Sequence, residues 1–383
     1  MLLYVHVPFC RRKCRYCAFY SEPVGSGDAL RLWADALCSD MRRRAAELNH
    51  PAVSTVFFGG GTPSLVPPSL LGRILDTAAE CFSLDADAEI SMEANPDSVD
   101  DSRASGFRAA GVNRVSLGVQ ALDDALLAAV GRVHDEKQAV AAFRSLRRAK
   151  FDNVGLDFIW ALPGESLESW KNQLARAVAL GPEHLSCYGL TLEEGTPLFR
   201  QRRTLALPGE NEAAAMYEEG GILLESAGYA QYEISNYALH GRRCRHNLGY
   251  WLGKEYLGLG PAAVSCMGNR RISQPADLGA WLSSVRQGRE AGIVEELSFV
   301  ERVEELVMLR LRMTDGLNLA EYRSMTGRDF AADNRGLIEE LAWRGMARME
   351  EGRFALTRRG MLVSNAVIEQ CFERIPQQPE TTA

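Results

Sequence analysis

Cys10, Cys14 and Cys17 fall within eight residues, spaced CxxxCxxC in Val7-Pro8-Phe9-Cys10-Arg11-Arg12-Lys13-Cys14-Arg15-Tyr16-Cys17, directly after the apolar run Leu2-Leu3-Tyr4-Val5. Thiolates this close can all face one soft metal centre, as short cysteine runs do for iron–sulfur clusters. Only three are offered, so a 4Fe-4S cubane held here keeps one iron free of protein and open to a small molecule. Three other readings compete. A disulfide framework suits a short secreted chain, whereas this one has 383 residues and reads with no secretory signal. Structural zinc takes four protein ligands, usually in paired CxxC units, and no second CxxC occurs. Thiols that only pack rarely fall at such a spacing.

Other candidate residues follow at intervals. Gly59-Gly60-Gly61-Thr62-Pro63 exceeds what a tight turn needs, and a Cβ at these glycines is expected to occupy ligand space. Thr62 and the neighbouring amides can meet an ammonium or carboxylate group. Glu93 and Asp157 are acidic within otherwise apolar runs, and a buried carboxylate is costly without a partner such as a diol or an amine. Each could equally cap a helix or sit in a salt bridge. Gln120 can read a carboxylate or hydroxyl, and Arg132 can clamp a carboxylate, although most arginines simply face water. Tyr16 suits stacking on a flat ring, or packing beneath the cysteine loop.

The elements that must position these groups alternate. Strands are expected over 2–7, 54–58, 88–94, 113–117, 153–159 and 183–188, with helices over 28–48, 68–81, 98–110, 124–130, 135–149 and 166–180. Alternating β and α units make a parallel sheet covered by helices. Six units are too few for a closed eight-stranded barrel, so the expectation is an α/β fold: a partial (β/α)6 barrel over 1–205. Unusual polar or glycine-rich residues recur at the same edge of nearly every strand, the carboxyl end, where such folds gather chemistry, with Asp157 within the fifth. A connector over 206–295 carries a helix at 210–227, a strand at 229–235 and short strands at 257–260 and 262–266 around Pro261. It also holds the aromatic and basic run Arg242-Arg243-Cys244-Arg245-His246-Asn247-Leu248-Gly249-Tyr250-Trp251. A mostly helical, winged-helix-like block follows over 296–375, with helices at 299–312, 319–326, 329–344 and 358–372 and a hairpin at 347–356. The polar tail 376–383 reads as disordered.

Hydrophobic residues at 46% and charged residues at 24% are ordinary for a globular protein. A net charge of −7 opposes a nucleic-acid partner, despite the small basic spot at Arg358-Arg359. No apolar run reaches the length of a membrane span, which leaves only peripheral membrane association open. Nine cysteines without a leader point to the reducing cytoplasm.

YVHVPFCRRKCRYC, FFGGGTP, SMEANP, SLGVQ, LDFIWALPGES and HNLGYW together resemble the radical S-adenosylmethionine family that contains oxygen-independent coproporphyrinogen III dehydrogenase, most nearly its heme-chaperone subfamily. The resemblance runs from about residue 2 to about residue 370. It implies a radical-SAM barrel and a 4Fe-4S cluster on Cys10, Cys14 and Cys17, with S-adenosylmethionine chelated by the open iron. One electron passed into the sulfonium then yields methionine and a 5′-deoxyadenosyl radical. It also implies that Tyr4, Tyr16, Gly60, Gly61, Thr62, Glu93, Gln120, Arg132 and Asp157 contact S-adenosylmethionine.

The dehydrogenase carries a further cysteine two places after the third ligand, where this chain has Phe19, which speaks against porphyrinogen decarboxylation. HNLGYW speaks for heme handling, with His246 as an iron ligand and Tyr250 and Trp251 against the macrocycle; a hydrogen bond inside the connector is the alternative for His246. The subfamily's GIGxGAHS-like stretch reads Gly258-Leu259-Gly260-Pro261-Ala262-Ala263-Val264-Ser265, so a histidine is lost, and Cys266 or Cys244 could stand in as a soft ligand. The usual glycine before Leu162-Pro163-Gly164 is Ala161. The implied partners are heme, a heme-acceptor protein and a flavodoxin- or ferredoxin-like one-electron donor, with the chain a monomer or weak dimer. The alternative function is an enzyme: a coproporphyrinogen III oxidase or related radical enzyme acting on a porphyrin.

Overall fold

The computed structural model describes residues 1–25 and 27–379. Of the tail expected to be disordered, 380–383 lie outside the described residues, and 376–379 are irregular. Six parallel strands alternate with helices as the pattern requires: β1 (Leu2–Val7), β2 (Ala52–Gly60), β3 (Ser83–Ala94), β4 (Arg114–Gln120), β5 (Val154–Trp160) and β6 (His184–Gly189). Between them run α1 (Gly27–Glu47), α2 (Pro68–Cys81), α3 (Asp101–Ala109), α4 (Asp124–Ala129), α5 (Glu136–Arg148) and α6 (Leu167–Leu180). The strands read as near-continuous apolar runs because the sheet is covered on its outer face and curved on its inner one. Helix starts follow side-chain caps. Asp100, Asp123 and Ser166 each accept from amides of the first turn, and Asp135 does so reciprocally with Gln138.

The sheet is wider than six strands. From the connector, β7 (Ala230–Gln231) and β8 (Asn236–Ala238) add antiparallel strands beyond β6. On the other side β9 (Tyr256–Leu259) joins β1 in parallel register, Tyr4 opposite Gly258, and β10 (Val264–Met267), β11 (Arg270–Ser273) and β12 (Ile293–Glu296) continue antiparallel. In the same connector α7 (Glu210–Ser226) precedes β7, and α9 (Leu278–Arg286) lies between β11 and β12. The result is one sheet of 12 strands with seven adjacent parallel ones, β9 and β1 to β6. The strand expected over 229–235 is instead two short ones separated by a turn at Glu233, which bridges to Met313.

Two large cores and a smaller apolar cluster around Leu126, Leu162 and Leu198 stabilise the chain. The larger lies between the barrel sheet and its helices. There Trp33 of α1 is fully buried edge-on to Phe9 at 6.2 Å, and Trp170 of α6 packs edge-on to Phe158 at 6.3 Å while its Nε1 donates to the Met216 carbonyl. Burying each such indole contributes a few kcal/mol. The second core belongs to the carboxy-terminal block, where a sheet of Leu317–Asn318, Arg353–Leu356 and Ala347–Glu350 is packed by short helices around Tyr322, Phe330 and Phe354. The helix expected over 358–372 is broken into Arg358–Met361 and Ser364–Phe372. Polar main-chain contacts tie the two parts, Ile234 N–H to the Arg312 carbonyl at 2.8 Å and Thr314 N–H to the Tyr232 carbonyl at 3.2 Å.

Ala161, where the resemblance places glycine, has φ +60° at the exit of β5. An L side chain there costs on the order of 1 kcal/mol. Ala161→Gly is therefore expected to raise the denaturant midpoint with an unchanged slope, a gain of about 1 kcal/mol; an unchanged or lower midpoint would show that the surrounding turn has absorbed the strain.

Candidate functional site

The cysteine loop leaves β1 through a two-residue strand, Phe9–Cys10, which pairs in parallel with Glu22–Pro23 and closes the loop on itself. Its far side is anchored by Arg15, whose N–H donates to the Val130 carbonyl at 3.1 Å and whose carbonyl accepts from Leu198 N–H at 2.9 Å. Cys10, Cys14 and Cys17 are free, partly exposed thiols. Two donors reach them from the barrel. The Thr62 hydroxyl donates to Cys10 Sγ and the Arg132 guanidinium to Cys14 Sγ, each at 3.4 Å. Asn95 links the two, donating from Nδ2 to Thr62 Oγ1 at 3.2 Å and accepting at Oδ1 from Arg132 at 2.9 Å. Arg132 also donates to the Gly118 carbonyl at 2.7 Å, and its Nε is buried without a partner among the described residues. Tyr16 contacts Arg132 and rests on the apolar patch of Leu126, Leu127, Val130 and Leu198, which is the second of its two expected roles, packing beneath the loop.

The inner face of the barrel carries the carboxylates. Strand register sets Glu93 beside Ser116 and Asp157 beside Ser186. Asp157 Oδ1 accepts from the Ser116 and Ser186 hydroxyls at 2.9 and 2.6 Å. Glu93 Oε2 accepts from Gly60 N–H at 3.1 Å. Burial, with the Asp157 charge adding to it, pushes Glu93 up to about 8. Burial raises Asp157 as well, against the two hydroxyls that favour its ionised form. Gln120 ends β4 at φ +67°, past a register shift against β5, which turns its amide back towards Gly118 and the lumen edge.

The glycine run needs a different explanation from the expected one. A Cβ at Gly59 would come within 3.0 Å of the Tyr4 ring, one at Gly60 within 2.5 Å of the His6 ring, and one at Gly61 within 2.6 Å of the Phe9 carbonyl. The side chains and backbone of β1 and its loop fill that space, rather than a ligand. Gly60, at φ +105°, additionally aims its N–H at Glu93.

His246 lies apart from this lumen. It sits on α8 (Arg245–Trp251), 1% exposed, stacked on Phe57 at 5.0 Å. Its Nδ1 pairs with Thr55 Oγ1 at 2.7 Å and its Nε2 with the Tyr250 hydroxyl at 3.1 Å, so neither ring nitrogen is free. Burial, helped by the charge of Arg114, lowers it to about 3 and keeps it neutral. The buried Glu89 caps α8, accepting from the Arg245 and His246 N–H groups at 2.9 and 3.1 Å, and Cys244 is buried at the same cap. The carboxyl end of α8 is held by the Arg310 guanidinium, which donates to the Trp251 and Leu252 carbonyls and pairs with Glu321. Tyr4, Tyr250, Tyr256 and Cys266 line an open cleft of about 510 Å³ between β1, β9, β10 and α10 (Phe299–Arg310). Val264, also on the cleft, occupies the place of the lost histidine.

Sequence reasoning thus missed Asn95, Ser116 and Ser186, which orient the expected residues without being charged or glycine-rich. Asn95 was within reach, since it stands in Glu93-Ala94-Asn95-Pro96 at the end of β3. The donor set suits an iron–sulfur cluster: three thiols on one loop, with a hydroxyl and a guanidinium directed at two of the sulfurs. Among the described residues no three His, Cys, Asp or Glu side chains close round a single ion. A cubane needs its thiolates spread over separate corners. The lumen suits a ligand bearing an amine and hydroxyls, since Glu93 makes no ion pair among the described residues.

Residues 4–176 match the radical SAM superfamily and residues 297–363 the HemN C-terminal domain. The heme chaperone HemW of Synechocystis is 37% identical over 330 residues, covering 84% of this chain and 80% of that protein. The heme chaperone HemW of Mycobacterium tuberculosis is 37% identical over 373 residues, covering 96% and 93%. Among solved structures, coproporphyrinogen III oxidase (HemN) from Escherichia coli superposes with a TM-score of 0.83 at 25% identity, covering 97% of this chain and 89% of that one.

The raised Glu93 gives a signed expectation. The folded state binds this proton more tightly than the unfolded one, so its contribution is complete below 4.5 and is lost as pH rises through about 8. Glu93→Gln removes that slope: the variant should match the parent near pH ~4 and exceed its stability by on the order of 1–2 kcal/mol above pH ~8. Denaturation curves across that range decide it, and a difference that does not grow with pH rejects the assignment.

Proposed function

The chain belongs to the HemW heme-chaperone family of radical S-adenosylmethionine proteins, and from that membership we propose that it binds a 4Fe-4S cluster, S-adenosylmethionine and heme and delivers heme to an acceptor protein. The observation that carries the core of this reading is the pair of donors, Thr62 and Arg132, directed at two of the three loop sulfurs. Cys10, Cys14 and Cys17 would hold the cluster. When bound, that cluster supplies one-electron reduction of a sulfonium at its open corner.

The chain's own residues prepare the surroundings. Arg132 and Thr62 direct positive charge and a hydroxyl dipole at sulfur, which offsets the negative charge that thiolates bring. Glu93 and Asp157 provide the acidic side of the lumen, where an ammonium or a ribose diol would take the place of water. Ser116 and Ser186 fix the Asp157 carboxylate, and Gln120 and Tyr4 bound the lumen from neighbouring strands. Phe19, 70% exposed, stands where the dehydrogenase has its additional cysteine, which favours the chaperone over coproporphyrinogen oxidation.

An acidic flavodoxin- or ferredoxin-like donor fits the outside of the loop. Arg12 and Lys13 lie between cluster cysteines, are exposed and make no ion pair among the described residues, although the chain as a whole carries −7. Such a patch speeds encounter with an acidic partner in a salt-dependent way. No helix among the described residues is long and apolar enough to cross a membrane. The reading is of a cytoplasmic carrier.

Anaerobic reconstitution of the full chain tests this. Iron, sulfide and heme should be taken up together in stoichiometric amounts, and Cys14→Ser should lose the iron–sulfur absorption. A wild-type preparation that binds heme but never iron and sulfide contradicts the core assignment, and substrate-dependent conversion of coproporphyrinogen III would favour the enzyme instead. Separately, Arg12→Glu with Lys13→Glu should slow cluster reduction by reduced flavodoxin about tenfold at low salt, leaving dithionite reduction unchanged. Equal slowing with both reductants would place the fault in the cluster, not in docking.

A further inference from the structure

The cleft between the barrel and the carboxy-terminal block borders the sulfur loop through Phe19 and Tyr20 and the lumen through Tyr4, and the rest of its lining belongs to neither. Its volume of about 510 Å³ is in the range of small-molecule sites. Five aromatic side chains line it: Tyr4, Phe19, Tyr20, Tyr250 and Tyr256. Tyr250 and Tyr256 meet edge to face at 4.7 Å, and the exposed Phe19 stands at the mouth without an apolar cover. Lys254 and Arg302 also line the cleft, and neither makes an ion pair among the described residues. The acidic Glu305 on the same wall is already paired with Arg271 at 2.5 Å. Glu255, also on the cleft, accepts from Gly268 N–H, and Arg302 donates to the Gly268 carbonyl. A flat apolar disc with carboxylate side chains matches the aromatic walls and the two cations that no carboxylate holds.

Iron at the centre of such a disc needs a ligand. His6 lines the cleft but is engaged: Nε2 faces the Tyr20 carbonyl at 3.0 Å and so carries the proton, leaving Nδ1 to accept from the Tyr4 hydroxyl at 3.1 Å. His246 is buried behind Tyr250 with both nitrogens occupied. Cys244 is sealed at the cap of α8, 3% exposed. Cys266 is different. It lies on β10 two residues beyond Val264, on the same side of the strand, and both reach the cleft.

We propose that this cleft is the seat of the heme, with Cys266 supplying the axial sulfur to ferric iron and Lys254 and Arg302 meeting the propionates. The assignment rests on the heme-chaperone reading and deepens it. As the Fe–S bond forms, the thiol proton leaves to solvent and no electron changes hands. Burial, and after it the Glu305 charge, push the Cys266 thiol up against the opposing Arg271 and Arg302 guanidiniums, so it is the ferric iron that draws off the proton. His246 is then a positioning residue, acting through the Tyr250 hydroxyl on one wall.

The test is titration of the full-length, cluster-reconstituted chain with ferric protoporphyrin, read by Soret absorption and electron paramagnetic resonance. Wild type should show a thiolate-ligated low-spin ferric signal. Cys266→Ser should lose that signal and bind about tenfold or more weakly, while Cys244→Ala keeps both. Lys254→Glu with Arg302→Glu, two surface changes that leave the fold intact, should weaken binding about tenfold and more so at low salt. Unaltered spectrum and affinity in Cys266→Ser overturn the ligand, and unaltered affinity in the double charge reversal overturns the cleft, while heme binding itself, and with it the chaperone reading, still stands. A wild-type chain that binds no heme overturns both.

Discussion

Arg132 places a buried positive charge where the cysteine loop meets the barrel, and the arrangement of the site depends on it. Its guanidinium reaches Cys14 sulfur, Asn95 and the Gly118 carbonyl together. A cation taken out of water is costly unless its surroundings return the lost hydration. The Cys14 sulfur, Asn95, Tyr16 and the carbonyl near the end of β4 do so, and each is thereby held in place. Loop, β3 end and β4 end are registered against one another through a single side chain. Thr62 completes the chain of contacts from Cys10 to Asn95.

The lumen is organised by the opposite problem. Glu93 and Asp157 are acids in a place that raises their proton affinity. Asp157 is partly satisfied by two hydroxyls, whereas Glu93 has one amide. The two carboxylates repel each other across the strands, so a ligand carrying positive charge relieves both at once. The pocket is preorganised for a cation by being unfavourable without one. Tyr4 stands at the boundary, near Glu93 on one side and lining the open cleft on the other.

Much of this was legible before any coordinates. Strand ends announced themselves by Gly-, Glu- and Gln-bearing interruptions of apolar runs, and helices by the alternation of amphipathic runs with them. The residues that only orient others, Asn95, Ser116 and Ser186, carry no such mark, because a small polar side chain near a turn is unremarkable in one dimension. β9 was legible as a strand but not as a seventh parallel one, since partner choice is set by packing some 250 residues away in the chain, at Leu2 to Val5. The histidine of HNLGYW was legible as unusual and misleading as a free ligand. Its isolation comes from Thr55, Phe57 and Tyr250 closing round it, and only the tertiary fold brings Thr55 there. The glycine triplet was legible as a close approach, but what approaches is β1 itself.

Arg310 spans the seam between the two cores by gripping the exposed carbonyls at the end of α8. Tyr217, Trp160 and Ile234 carry apolar packing across that seam into the second core, beside main-chain contacts and the Arg358–Glu225 pair. One wall of the aromatic cleft, carrying Arg302, Glu305 and Leu309, belongs to the carboxy-terminal block. The width of that slot is set by how Arg310 seats α10 against the end of α8.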